Sequence, residues 1–388
     1  MNGTWHLITG EYPPQQGGVS DYTAALAREL ADTGRDVHVW APPAAGASEE
    51  LGGHVLAHRL PDVFGKRGLA LLTQALDACP EPRTLLVQYV PHAFGSRGMN
   101  VAFCRWVQQR ARHSRDDVRV MFHEPYYPFA IWPPHRNLLA VANRLMAVLL
   151  LSDVRSAYVS TTAWARRLNR YAPRALTFEW LPVPAAIPVV QDADRVTGWR
   201  RRIAPVASPR VVGHFGTYGA LITPMLGPAL VQLLRADAEV RVCLIGSGSE
   251  AFAAQLTGDA PAWRARVTAT GPLSPAEVSV CLQACDVMLQ PYADGASGRR
   301  TTLMAALANG VAVVTNAGAA TEDVWSSSGG VWLAADTNAT TLRDAVAVLL
   351  GDEDARRRIA TAGQLLYARR FAIEHTIATL LALRSGVA

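Results

Sequence analysis

Val287-Met288-Leu289-Gln290-Pro291-Tyr292-Ala293-Asp294-Gly295-Ala296-Ser297-Gly298-Arg299-Arg300-Thr301-Thr302-Leu303, followed shortly by Ala308-Asn309-Gly310-Val311-Ala312-Val313-Val314, reads as one strand–loop–helix–strand unit. Val287–Gln290 is a short apolar run of strand length, and Pro291 ends it. A helical pattern starts near Thr301 and runs to about Asn309. Gly310 breaks it, and Val311–Val314 is the next strand. Strands joined through a helix are parallel, and a parallel sheet is covered on both faces. The loop also has a chemical character. Two glycines, three hydroxyls and two arginines gather at a helix N-terminus. Free N–H groups, the helix dipole and guanidinium forks all favour a phosphate there, although a solvated basic turn has the same composition.

The same alternation extends in both directions. Upstream of the quoted unit, Trp5–Thr9, Val37–Trp40, Thr84–Gln88, Val118–Phe122 and Ala157–Ser160 read as strands between helical patterns such as Tyr22, Leu26 and Leu30. Pro182, Pro184, Pro188, Pro205 and Pro209 fall in a stretch of weak periodicity that reads as an interdomain crossing. The series then restarts with Arg210–Phe215, Val240–Ile245 and Val267–Thr270. Helical patterns at Leu342–Leu350, Ala355–Ala368 and Ile373–Leu383 end it. A chain of 388 residues is too long for one core and suits two. The expected architecture is α/β, with two doubly wound Rossmann-like domains facing across a cleft. Ligands are expected at the carboxyl ends of the strands.

Composition removes several function classes. Half the residues are apolar and 18% are charged, which excludes a disordered chain. Lys66 is the only lysine, and it has no glycine-rich loop before it, so a P-loop is excluded. Codon bias of a high-GC genome is the plainest source of that imbalance. The net charge is +5, and the two halves of the chain carry 19 basic and 15 acidic, then 18 basic and 17 acidic groups. That even spread argues against a nucleic-acid partner. Five cysteines at unhelpful spacings, with Cys281 and Cys285 four apart, predict neither a zinc site nor disulfides, and suit a reducing cytoplasm. Met1–His6 lacks the pattern of a signal peptide. Leu138–Leu151 is too short to span a membrane. Its Leu138, Val141, Leu145, Val148 and Leu149 predict the buried face of a core helix, with an in-plane membrane helix as the second reading.

Three more loops sit at expected strand ends. Gly10-Glu11-Tyr12-Pro13-Pro14-Gln15-Gln16-Gly17-Gly18-Val19 stiffens and then opens a helix with a glycine pair, which lets a ligand approach backbone N–H groups. His123-Glu124 places a titratable pair directly after Val118–Phe122. Gly246-Ser247-Gly248 follows Val240–Ile245 as an incomplete dinucleotide turn, which disfavours a dehydrogenase.

These four loops, in this order, resemble the retaining glycosyltransferases of family 4, which have the GT-B fold. The resemblance rests on Glu11–Val19, His123–Glu124, Phe215–Gly216, Gly246–Gly248, Thr270–Gly271, Glu277, Ala284–Val287, Pro291 and Ala308–Val314. It implies three regions: an acceptor-binding domain over 1–188, a nucleotide-sugar domain over 189–370 and a terminal helix over 371–388 that packs back on the first domain. It implies a sugar transferred from a UDP- or GDP-sugar to a hydroxyl of a small molecule, glycan or lipid-linked acceptor, with no metal and no resident cofactor. Peripheral membrane contact at the inner face is compatible with it. His123 would hold the donor sugar, with Glu124 beside it. Gly17, Gly18, Gly216, Thr217, Gly246, Ser247, Gly248, Asp294, Gly295, Ser297, Gly298, Arg299, Arg300, Thr301 and Thr302 would hold the donor and its diphosphate. Glu11, Tyr126 and Tyr127, with Phe129 and Trp132 as further stacking surfaces, fall on the acceptor side.

The sequence departs from that family at two places. The family's paired glutamates fall on Ser297 and Ala305, and its Arg and Lys are missing from Gly216-Thr217-Tyr218-Gly219-Ala220-Leu221-Ile222-Thr223. Arg299 and Arg300 are expected to supply the missing charge. A nucleotide-sugar epimerase on the same fold, or a non-catalytic nucleotide-sugar-binding subunit, remains open at this level.

Overall fold

The computed structural model describes residues 3–15, 17–44, 54–95, 98–129, 136–173, 175–205, 210–258 and 260–382. Trp132, named above as a stacking surface, lies outside them. The chain forms two compact units, Met1–Pro182 with Thr376–Ala388, and Val183–His375.

The first unit contains β1 (Thr4–Thr9), α1 (Gly18–Asp32), β2 (Val37–Ala41), β3 (Val55–Arg59), α2 (Lys66–Ala78), β4 (Arg83–Tyr89), α3 (Val101–His113), β5 (Asp117–Phe122), α4 (Arg136–Ser152), β6 (Ser156–Val159), α5 (Thr162–Leu168) and β7 (Phe178–Trp180). Its seven strands run in the order β3-β2-β1-β4-β5-β6-β7, and every pair is parallel. β1 is an interior strand, with Leu7 registered against Val39 on one side and Leu86 on the other. All three are fully buried, as a sheet covered on both faces requires. The winding direction reverses between β1 and β4, which makes their carboxyl ends the switch point where such sheets bind ligands.

The second unit contains α6 (Ala193–Ile203), β8 (Arg210–Phe215), α7 (Thr223–Ala236), β9 (Val240–Ile245), α8 (Ser249–Thr257), β10 (Val267–Ala269), α9 (Pro275–Gln283), β11 (Val287–Leu289), α10 (Thr301–Ala308), β12 (Ala312–Asn316), α11 (Asp323–Ser327), β13 (Trp332–Ala334), α12 (Ala339–Gly351) and α13 (Glu353–Arg370). Its parallel order is β10-β9-β8-β11-β12-β13, so the reversal lies between β8 and β11. The quoted stretch is β11, its loop, α10 and β12. α14 (Ile373–Leu381) carries the chain from the second unit back to the first. There Arg119 Nη1 donates to Leu380 O at 2.5 Å, and Leu380 is fully buried.

Two sequence expectations differ from the structure. The proline-rich crossing contains a helix, α6. Asp192 caps it by accepting from Arg195 N–H at 3.0 Å, and it buries only Trp199 and Ile203. So narrow an apolar stripe leaves little periodicity to read. On α4 the expected core face points outward: Leu138 is 75% exposed, Val141 56% and Leu145 49%. The buried face is Ala140, Asn143, Met146, Ala147, Leu150 and Leu151. The helix is apolar on nearly every side, so periodicity could not choose between faces. Asn143 decides it, because its side chain donates to Gly98 O at 2.8 Å and accepts from Tyr127 N–H at 3.3 Å. Among the described residues, no helix is long and apolar enough to cross a membrane.

One internal feature is polar. His6, His38, Trp40 and His58 stack across β1, β2 and β3, with ring centroids 4.9 Å apart for His6–His38 and 4.1 Å for Trp40–His58. Trp40 Nε1 donates to His6 Nδ1 at 3.2 Å. Burial, reinforced by His38, lowers the His6 pKa to about 3, and burial lowers His58 to about 4.

Candidate functional site

In the first unit, the loops after β1, β4 and β5 bring together Glu11, Gly17, His92, His123 and Glu124. Glu11 Oε1 lies 3.3 Å from His92 Nε2. A Cβ at Gly17 would sit 2.6 Å from the other Glu11 oxygen, so a side chain there would displace that carboxylate from its present position. Gly18 opens α1, and a Cβ there would meet nothing within 4 Å. The hydrogen bond that His92 donates to Glu11 raises the His92 pKa, and the charge of Glu124 adds to the effect. His92 is therefore a titratable neighbour that motif reading missed. Its signal was positional, since Pro91-His92 directly follows β4 at the switch point.

His123 is buried, and Nε2–H donates to Gln88 Oε1 at 2.7 Å. Its ring meets the edge of Tyr22 on α1 at 5.1 Å. Its carbonyl accepts from Trp164 Nε1 at 2.9 Å and from Ser160 Oγ at 3.1 Å, which pins the end of β5. Burial lowers the imidazole pKa to about 3. The ring is thus a neutral hydrogen-bonding group at physiological pH, unsuited to carrying a proton. Gln88 Nε2 and the Tyr22 hydroxyl are buried without a hydrogen-bond partner among the described residues.

Tyr126 and Tyr127 pack onto α4. Arg144 lies over Tyr126 at 4.3 Å and over Phe129 at 3.9 Å, and its Nη1 donates to Tyr127 O at 3.2 Å. Both tyrosines are half-buried, whereas Phe129 is 56% exposed.

In the second unit, the loops after β8, β9 and β11 meet at the switch point. Gln290 Nε2 donates to Phe215 O at 3.2 Å and ties the ends of β11 and β8 together. Gly246 has φ 110°, and a Cβ there would lie 2.4 Å from Gly216 O. Gly246 and Gly216 therefore serve a close backbone crossing first. Thr217, Ser247 and Gly248 are exposed along its rim. Tyr218 takes a left-handed φ of 52° and donates its hydroxyl to His214 O at 2.9 Å, plugging the strand ends where the resembled family carries charge.

The β11–α10 loop is the best-organised part. Gly295 has φ 89°, and a Cβ there would come within 2.4 Å of Gly318 N. Ala296 N–H donates to Asn316 O at 2.9 Å, and Asn316 Oδ1 accepts from Tyr292 N–H at 2.8 Å. The Tyr292 hydroxyl pairs with Thr302 Oγ1 at 2.8 Å, beneath the first turn of α10. Arg299 Nη2 lies 2.7 Å from Asp294 Oδ2, and Arg300 pairs with Oδ1 of the same carboxylate. The guanidinium of Arg300 also covers the Tyr292 ring at 4.6 Å.

The loop thus holds two arginines against one carboxylate at a helix N-terminus, where the net charge and the dipole suit an anion. Glu322, which the sequence reading did not single out, is the buried acid of this site. It accepts from Gly298 N–H at 3.1 Å and from Trp325 Nε1 at 2.8 Å. It comes from the loop after β12, too far along the chain for a local motif to show it. Ser297 is fully buried and its Oγ has no hydrogen-bond partner among the described residues, while Ala305 is buried inside α10. Neither supplies a carboxylate. Among the described residues no cluster of three or more His, Cys, Asp or Glu side chains could hold a metal ion.

Residues 216–352, which include all of these second-unit loops, match the family model described as Glycosyl transferases group 1. Solved structures similar to the whole chain share its fold, which is the GT-B fold of two Rossmann-like domains. Sucrose-phosphate synthase from Thermosynechococcus elongatus is 14% identical with TM-score 0.71, over 98% of this chain and 97% of that one. HepE from Anabaena, in complex with UDP and glucose, is 16% identical with TM-score 0.70, over 98% and 99%. An E. coli trehalose-6-phosphate protein bound with UDP-2-fluoro glucose is 11% identical with TM-score 0.68, over 98% of each chain. No curated protein sequence matches the chain. The Asp294–Arg299–Arg300 cluster and Glu322 both lie inside the segment that matches this family model.

Proposed function

We propose that this protein transfers a sugar from a nucleotide sugar of the UDP or GDP type to an acceptor hydroxyl. The anomeric configuration is retained and no metal takes part. One observation carries the reading: a loop of two arginines and several hydroxyls heads α10 at the switch point of the second sheet, inside the segment that matches glycosyl transferases group 1. Several structures of the same fold hold UDP or a UDP-sugar, which supports a nucleotide-sugar donor.

In this reading Arg299, Arg300 and the N–H groups opening α10 stabilise the leaving diphosphate. That electrostatic task dominates when charge develops on the leaving group. Gly216, Thr217, Ser247 and Gly248 line the nucleotide side. Gly17 and Gly18 offer backbone N–H groups from the first unit. Neutral His123 donates or accepts a hydrogen bond to the donor sugar, and Glu124, Glu11, Tyr126 and Tyr127 face the acceptor. The acceptor is a small molecule, glycan or lipid-linked hydroxyl, and the protein works in the cytoplasm.

The buried Ser297 and Ala305 favour one rival, a nucleotide-sugar-binding protein without catalysis. A thermal-shift panel of nucleotide diphosphates and nucleotide sugars identifies the donor, because a ligand of the native state raises its stability. The best donor is then incubated with and without candidate acceptors. Acceptor-dependent release of nucleotide diphosphate is expected. Binding without turnover on any acceptor supports the rival, and an epimer formed from donor alone replaces transfer with epimerisation. A panel without any stabilising nucleotide sinks the whole reading.

A further inference from the structure

Leu138, Val141 and Leu145 form one stripe along α4, and all three are large, apolar and exposed. Single exposed apolar residues are ordinary on a protein surface, but a stripe at helical spacing is a patch. Phe129 extends it, 56% exposed and held in place by Arg144, which lies 3.9 Å from its ring centroid. The charge around the stripe is one-sided. α4 contains no Asp or Glu. Residues 136–170 carry six arginines against one aspartate, equal to the +5 of the entire chain. The half-by-half count conceals this cluster, because the rest of the first half is slightly acidic. Arg166, Arg167 and Arg170 at the end of α5 are exposed. They adjoin α4, since Arg167 O accepts from the Tyr126 hydroxyl at 3.5 Å, Arg144 covers that ring at 4.3 Å, and Arg144 Nε donates to the Tyr171 hydroxyl at 3.0 Å.

We infer that this face of the first unit docks on an anionic lipid bilayer. α4 lies in the interface plane, with Leu138, Val141, Leu145 and Phe129 at the acyl boundary and Arg166, Arg167 and Arg170 on the headgroups. The helix has 17 residues and presents an exposed apolar stripe beside the basic side chains of α5, a combination that suits the interface plane. Charge complementarity selects the occupant. A second copy of the chain would bring Arg166, Arg167 and Arg170 against their equals, whereas an anionic surface attracts each arginine. Arg144 is caged by aromatic rings and serves the packing, so it takes no part in the test.

The inference is independent of the proposed transfer reaction, and its test needs no substrate. The full-length protein is sedimented with vesicles of phosphatidylcholine alone and of phosphatidylcholine containing phosphatidylglycerol. Binding is expected to the second only, weakening as salt rises. The triple change Leu138→Gln, Val141→Gln and Leu145→Gln is expected to weaken binding by about tenfold or more. Arg166→Gln, Arg167→Gln and Arg170→Gln together are expected to cost about fivefold per arginine. All six residues are solvent-exposed, and an unchanged unfolding midpoint confirms that each variant is folded. Three results overturn the inference: no sedimentation with either vesicle, wild-type binding by the leucine–valine variant, or self-association of the wild type that the same variant abolishes, which assigns the stripe to a second copy.

Discussion

Asp294 pairs with both Arg299 and Arg300, so its carboxylate tempers the charge that the β11–α10 loop presents. A diphosphate approaching this loop meets two arginines already shared with the carboxylate of Asp294, with Glu322 bonded to the same loop at Gly298. Each guanidinium remains a charge-assisted donor. Arg299→Ala or Arg300→Ala is therefore expected to weaken binding of the best nucleotide diphosphate by about 10- to 100-fold, as the loss of one such bond does. Isothermal titration measures it, and wild-type affinity in both variants would remove the arginines from the site. His123 makes the opposite kind of prediction. With a pKa near 3 it stays neutral across the working range. His123→Ala should lower turnover, whereas any inflection of the pH–rate profile between about pH 5.5 and 8 should persist in the variant. An inflection that vanishes with the imidazole would show that His123 titrates during the reaction. His92 is the better proton sensor. Glu11 stabilises its imidazolium and raises its pKa, so Glu11→Gln should move the His92 titration downward when followed by NMR.

At the scale of elements, the β11–α10 loop is held from behind by the loop after β12. Gly295 and Gly318 cross so closely that a Cβ on Gly318 would lie 2.5 Å from Asp294 O. Glu322 closes the same crossing by accepting from Gly298 and Trp325. Glu322→Leu removes the oxygen, Oε2, that accepts from both Gly298 and Trp325. It should destabilise the protein by roughly 1–3 kcal/mol in urea unfolding, the cost of leaving a buried donor unpaired. A midpoint equal to wild type would mean that the carboxylate is dispensable. This second layer was the part of the site that sequence could not reveal. Arg299, Arg300, His123 and the glycine loops were legible because strand ends and local composition mark them. Asp294 was legible as a residue but not as a clamp, since its partners depend on how the loop folds back. Short edge strands were lost for a different reason. β3 and β7 are half-exposed at the sheet margin, and their polar residues erase the apolar run that marks β1 or β9. α4 shows the converse, a helix so apolar that its pattern could not say which face is inside.

At the scale of the whole molecule, the alternation of strands and helices was enough to specify two doubly wound sheets, because a buried parallel strand leaves an uninterrupted apolar run. What it could not specify was the polar content of those cores. His6, His123 and His214 are buried, and burial lowers their pKa values to about 3, 3 and 4. The unfolded chain takes up protons near pH 6.5 while the folded chain does not. Stability is therefore full above about pH 6.5 and declines as the pH falls toward 4, by on the order of 1 kcal/mol per buried imidazole per pH unit. Urea unfolding between pH 7 and 5 should show a marked fall in midpoint. A pH-independent midpoint would contradict the buried, neutral state of these rings. A last consequence follows from Lys66, the only lysine, which is exposed in the first turn of α2. Amine-directed reagents meet a single side chain on the folded protein, apart from the α-amino group. A fluorophore can thus be placed on the first unit without engineering, and neither arginine of the β11–α10 loop is consumed by the labelling.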